Sequence, residues 1–138
     1  MVRLGRKNPQ DHPNADEGRR LPFETFSGFL DGPQFSTDAY FVAVHDGNEA
    51  ERYVGISGLS INWADPTICS TEMTGVIRSY RRKGIAMALK IKAISFVKEQ
   101  EGKVIYTGNE ESNPMFILNQ KLGFEPGPAW LSFHRQLP

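Results

Sequence analysis

Residues 76–89 read VIRSYRRKGIAMAL, and the spacing of apolar residues changes inside them. Up to Ile77 the chain reads as a strand, residues 68–77 (ICSTEMTGVI). From Gly84 onward Ile85, Ala86, Leu89, Ala93, Phe96 and Val97 recur at intervals of three and four. That is the stripe of an amphipathic helix, and it runs to Gly102, read as its C-terminal cap. Between the two lies a short loop carrying Arg78, Arg81, Arg82 and Lys83. A helix leaves its first backbone N–H groups without intrahelical partners, and its macrodipole is positive there. Gly84 has no side chain to keep a ligand off its backbone, and Ala86 is nearly as small. A basic loop, a glycine and a helix start together predict an anion site of the kind that cradles a pyrophosphate.

On either side of this stretch the pattern is short-range and mixed. Residues 40–45 (YFVAVH) and 53–62 (YVGISGLSIN) read as antiparallel strands across the turn residues Asp46, Gly47 and Asn48. With residues 68–77 they form a meander. Residues 103–107 (KVIYT) are a short strand after the long helix. Asn113 and Pro114 cap and open a second helix that closes at Gly123. Residues 129–137 (AWLSFHRQL) alternate as a final strand. Residues 22–30 (PFETFSGFL) place Phe23, Phe26, Phe29 and Leu30 at helical spacing. Residues 1–20 show no such pattern and are read as a flexible segment, with 21–138 as one domain. The fold class is α+β: a mixed, mainly antiparallel sheet flanked by helices.

Composition narrows the function classes. The chain has 138 residues, enough for one domain. Sixteen basic residues balance sixteen acidic ones, which argues against a general nucleic-acid binder. The balance is not local. Residues 78–103 hold eight of the bases against Glu99 and Glu101, whereas residues 11–72 hold eleven of the acids. A lone Cys69 excludes an internal disulfide and the Cys-rich zinc motifs. His12, His45 and His134 lack ligand-like spacing, so no metal is expected. No apolar run approaches ~18 residues, and no secretory pattern follows Met1, so the reading is cytoplasmic with no membrane partner.

Arg81-Arg82-Lys83-Gly84-Ile85-Ala86 matches Arg/Gln-x-x-Gly-x-Gly/Ala and resembles the acyl-coenzyme A loop of the GNAT acetyltransferase superfamily. The order strand, loop, long helix, strand, helix is similar too, as are Thr107-Gly108-Asn109 after the next strand and Leu122-Gly123-Phe124 after the last helix. The resemblance covers about residues 39–136 and looks closest to the C-terminal half of tandem acetyltransferases of the mycothiol-synthase kind. It implies acetyl-coenzyme A as acyl donor and a small amine as acceptor. It places the backbone of Val76 and Ile77 at the thioester, and Arg81, Arg82, Lys83, Gly84, Ile85 and Ala86 at the pyrophosphate. Asn109 and Asn113 would lie along the pantetheine arm, in a V where two parallel strands splay.

Acyl transfer to an amine needs a base, a stabilised oxyanion and a leaving thiolate. Glu72 is the candidate base and the Val76 N–H the candidate oxyanion donor. Asn119 stands where the superfamily often has a general-acid tyrosine, and an amide cannot supply a proton as a phenol does. Tyr80 and Tyr106 are possible substitutes. Two readings remain: an N-acetyltransferase, or a catalytically silent coenzyme A-binding module with a sensor or structural role. The superfamily usually opens with a strand absent from residues 1–20. The sequence therefore predicts a shortened domain, an open edge at residues 40–45, and a homodimer that closes the acceptor site.

Overall fold

β-branched and aromatic residues recur through three successive segments, and each is extended in the computed structural model: β1 (Tyr40–Val44), β2 (Tyr53–Ile61) and β3 (Ile68–Val76). The structure describes residues 27–28, 31–33, 35–47, 49–50, 52–129 and 135–136. The hairpin between β1 and β2 turns at Gly47, whose φ of +96° suits glycine. The His45 N–H closes it on the Arg52 carbonyl at 2.8 Å. After β3 come α1 (Ile85–Glu99), β4 (Val104–Tyr106) and α2 (Pro114–Lys121). The sheet order is β1-β2-β3-β4, antiparallel except for β3 and β4.

α1 covers one sheet face. Leu89, Ala93 and Val97 are buried, and Ala93 and Val97 share a core with Ala39, Leu59 and Cys69. Phe41 meets Phe96 edge to face at 5.9 Å. Gly55 lets the first turn of α1 settle on β2: a Cβ there would lie 3.1 Å from both Ile85 Cγ2 and Leu89 Cδ1. Cys69 sits in this core, where burial pushes its thiol pKa up, the behaviour of packing rather than of a nucleophile.

Lys90 is also buried, at 4% exposure, with its Nζ over the Phe124 ring at 5.8 Å. Desolvation lowers its pKa. Between the lowered folded value and the unfolded value near ~10.4, the unfolded chain holds more protons, so stability rises with pH across that window. Below it both states are charged and the penalty is constant. Lys90→Met should therefore stabilise the fold at pH 7 by about 1 kcal/mol. Urea melts at pH 7 and pH 10 check this: the gap between variant and parent should narrow at the higher pH.

The end of α1 corrects one expectation. The left-handed residue is Glu101 (φ +58°), not Gly102. The Glu101 N–H donates to the Lys98 carbonyl and the Gly102 N–H to the Val97 carbonyl at 2.8 Å. This is a Schellman arrangement shifted by one residue. Glycine is required at 102 for space, since a Cβ there would meet the Val97 side chain and lie 2.9 Å from the Val97 carbonyl oxygen.

Ser27 and Gly28 are helical. The rest of the helix expected over 22–30, the flexible segment 1–20, and most of the strand expected over 129–137 lie outside the described residues, as does Trp130. Among the described residues no strand precedes β1, and no helix is long and apolar enough to cross a membrane.

Candidate active site

β3 and β4 pair for three residues only: Ile68 with Val104, Cys69 with Ile105, Ser70 with Tyr106. Beyond Ser70 no backbone pairing joins them, though the Thr71 and Thr107 hydroxyls still meet. β3 carries a second irregularity. On β2, Ser57 pairs with Thr74 and Leu59 with Thr71, so Glu72 and Met73 together oppose Gly58. This β-bulge bends β3 and leaves both bulged side chains exposed.

The far edge of β3 is consequently open. The Ile77 N–H donates to the Val54 carbonyl at 3.0 Å, which makes Gly55–Val76 a non-hydrogen-bonded pair. The N–H groups of Val76 and, two residues earlier, Thr74 therefore point away from β2 into the split. Ile77 differs: its carbonyl accepts from the Tyr80 N–H at 2.9 Å, so both of its backbone groups are engaged within the fold. Of the two residues expected at the thioester, Val76 is the one with an outward N–H. Its carbonyl accepts from Arg81 Nε at 2.9 Å, which folds that guanidinium back on the strand end.

The loop that follows turns sharply. Arg82 has φ +63° and Gly84 +78°, two left-handed residues flanking Lys83. The Gly84 carbonyl accepts the first helical bond, from the Ala88 N–H at 2.9 Å. Among the described residues no N–H from Arg82 through Met87 has a hydrogen-bond partner. Such a run of free donors at a helix start is an anion nest. A Cβ on Gly84 would meet nothing within 4 Å, so the approach is unobstructed. Lys83 Nζ lies over the Tyr80 ring at 4.8 Å, and the Tyr80 hydroxyl shares a 2.6 Å hydrogen bond with His45 Nδ1. That tie to the end of β1 braces the loop. It joins residues 35 apart, and neither residue carries a local signal for it.

A polar string crosses the mouth of the split. Thr71 Oγ1 donates to Thr107 Oγ1 at 2.7 Å. Asn119 Nδ2 donates to Asn109 Oδ1 at 2.6 Å and to Thr107 Oγ1 at 3.4 Å. Asn119 is 4% exposed, and its Oδ1 has no partner among the described residues. Asn113 is the N-cap of α2, its Oδ1 accepting from the Met115 N–H at 3.0 Å. That bond accounts for Asn113 whatever else it touches.

Glu72 projects from the bulge on the face opposite α1. Sequence reasoning missed its neighbour there. Tyr40 pairs with Gly58, and its ring lies across that glycine, where a Cβ would come 2.7 Å from Cδ1 and Cζ. Burial, with the Glu72 charge as a second cause, raises the Tyr40 pKa, so the phenol stays protonated. Among the described residues no group of three His, Cys, Asp or Glu side chains could hold a metal ion.

Comparison with solved structures gives the same architecture. The ribosomal-protein-S18-alanine N-acetyltransferase from Escherichia coli superposes with a TM-score of 0.64 at 17% identity, over 81% of this chain and 66% of that one. An aminoglycoside N-acetyltransferase in complex with coenzyme A gives 0.55 at 22%, over 71% and 75%. An aminoglycoside 6′-N-acetyltransferase from Acinetobacter haemolyticus gives 0.57 at 14%, over 84% and 80%. The chain thus spans just under two thirds of the Escherichia coli protein, and at these identities the likeness is one of fold. No curated protein matches it. The sequence profile of the acetyltransferase (GNAT) family matches residues 8–124. That match spans most of the chain, and the chain belongs to the GNAT family of acetyltransferases.

Proposed function

We propose that this protein is an N-acetyltransferase that passes an acetyl group from acetyl-coenzyme A directly to the amine of a small molecule. The observation that carries the reading is the run of unpartnered N–H groups from Arg82 through Met87, set at the end of a strand whose edge is open. The free donors and the charges of Arg82 and Lys83 hold the pyrophosphate. The open edge of β3 takes the amide arm in place of a fifth strand, with Asn109 beside it. Acetyl-coenzyme A supplies the acetyl group as a thioester, and a thiol pKa near ~8.5 lets its thiolate leave without a strong acid.

Glu72 accepts a proton from the incoming ammonium, directly or through one water. The freed nitrogen lone pair forms the new bond to the acyl carbon as the carbon–sulfur bond breaks. The Val76 N–H stabilises the charge that gathers on the carbonyl oxygen. The new amide nitrogen sheds its second proton as it forms, and the thiolate takes one up through water, so that the products are the neutral amide and the free thiol. Release of thiol from acetyl-coenzyme A in the presence of amines tests the reading. Binding without release under any amine would favour the silent module.

Asn119 has no part as an acid in this scheme. Its amide holds Asn109 in place through the 2.6 Å hydrogen bond. Asn119→Ala should slow turnover by less than ~10-fold, chiefly through a raised KM for acetyl-coenzyme A, with an unchanged pH–rate profile. A ~10³-fold loss in kcat at intact coenzyme A affinity would instead place this side chain in the transition state.

A further inference from the structure

We infer that the hollow between Trp63 and Tyr106 is the acceptor subsite, and that it takes a primary amine carried on a compact, hydroxylated ring. The inference rests on the acetyltransferase reading for the role of Glu72, but the hollow itself stands on its own geometry. It encloses about 380 Å3 on the sheet face opposite α1, within the range of small-molecule pockets.

Its floor is one register row of the sheet: Ser60 on β2 pairs with Ser70 on β3, and Ser70 with Tyr106 on β4. This is the last row before the strands part. Its wall is Trp63, 74% exposed. Nothing local accounts for so open an indole, because the turn that carries it is firmly braced. The Asn62 N–H donates to the Ile68 carbonyl and the Ile68 N–H to the Asp65 carbonyl, both at 3.0 Å. Asn62 Oδ1 accepts from the N–H groups of Ala64 and Asp65, and Asp65 Oδ1 from both the N–H and the hydroxyl of Thr67. The backbone that carries Trp63 to the rim of the hollow is thereby fixed.

The lining selects the ligand's body. Two aromatic side chains, Trp63 and Tyr106, offer surface to the C–H face of a saturated ring. The hydroxyls of Ser60 and Ser70, and the amide nitrogen of Asn62, whose oxygen is used by the turn, pair with hydroxyl groups. A lipid tail or an unsubstituted aryl ring would bury these groups unpaired. Charge selects the reactive end. Glu72 lies two residues beyond Ser70 on the same face, roughly 7 Å along the strand. An ammonium at Glu72 therefore leaves one small ring to fill the hollow.

Glucosamine, glucose and phenethylamine are sufficient probes, followed by NMR at the indole N–H of Trp63, which Trp63→Phe identifies. Glucosamine should shift that signal saturably without acetyl-coenzyme A, at least ~10-fold more tightly than glucose, and Glu72→Gln should abolish the difference. In turnover, Trp63→Ala should raise the KM for glucosamine ~10-fold or more and leave the calorimetric Kd for acetyl-coenzyme A unchanged. Trp63 is exposed, so the variant should fold. A Trp63 signal indifferent to glucosamine, or tighter binding of phenethylamine, overturns the inference. Failure of the parent to bind acetyl-coenzyme A overturns the acetyltransferase reading instead, and the NMR titration still decides the subsite.

Discussion

Gly84→Glu should remove acetyl-coenzyme A binding from a protein that still folds. The substituted Cβ meets nothing within 4 Å, so there is no clash to unfold α1. The cost to the fold is conformational: φ of +78° asks a residue with a Cβ to sit in the left-handed region, at about 1 kcal/mol. The cost to binding is larger. The new carboxylate stands among the free N–H groups of residues 82–87, where it competes for those donors and repels a pyrophosphate. Calorimetry should show affinity weakened by ~10³-fold or below detection, equivalent to about 4 kcal/mol or more. Gly84→Asn separates the two effects, because asparagine tolerates the left-handed region and carries no charge. It should retain most of the affinity. Unchanged affinity in folded Gly84→Glu would sink the assignment of this loop.

Glu72→Gln should leave acetyl-coenzyme A binding intact and lower kcat by ~10²-fold or more, the usual scale of a missing general base. The amide keeps the shape of the side chain but cannot accept a proton from an ammonium. The acid limb of the pH–rate profile should disappear with it. Glu72 sits on the exposed bulge, so the substitution touches no packed core and stability should hold within ~0.5 kcal/mol. A profile superimposable on the parent's would show that another group, or solvent, takes the proton. Tyr40→Phe is a useful companion, since the Tyr40 ring lies over Gly58, across from the bulge that carries Glu72. Loss of its hydroxyl should alter the profile less than loss of the carboxylate.

What the sequence disclosed was local chemistry. The change of period within residues 76–89 marks both the end of β3 and the start of α1, with Gly84 as the N-cap of that helix. Asn113 before Pro114 marks the start of α2 to the residue. What it hid were relations between distant segments. A bulge at Glu72–Met73 adds one residue to β3 and leaves no trace in composition. Tyr40 and Gly58 are unremarkable until the register sets one across the other. Ile77 looked equivalent to Val76, yet the ladder with β2 engages one N–H and frees the other. The string from Thr71 to Asn119 joins residues whose spacing means nothing before β4 lies beside β3. Gly102 misled because glycine is chosen at a helix end for conformation or for space, and here space decided.

The three-residue pairing of β3 with β4 also sets how the molecule comes apart. Among the described residues α2 buries only Asn119, and β4 is held by three rungs, by Ile105 against the core and by a few polar ties, while β1, β2, β3 and α1 share the core. Segments fastened this way open as sub-global units at a fraction of the free energy of complete unfolding. Amide hydrogen exchange should accordingly be faster in β4 and α2 than in β1, β3 and α1, and slowest in β2. One arm of the cleft is thus held less firmly than the other, and a ligand lodged between the arms shifts that opening equilibrium towards closure. Occupancy would then be recorded first as slowed exchange in β4 and α2, before any change in the global melting temperature.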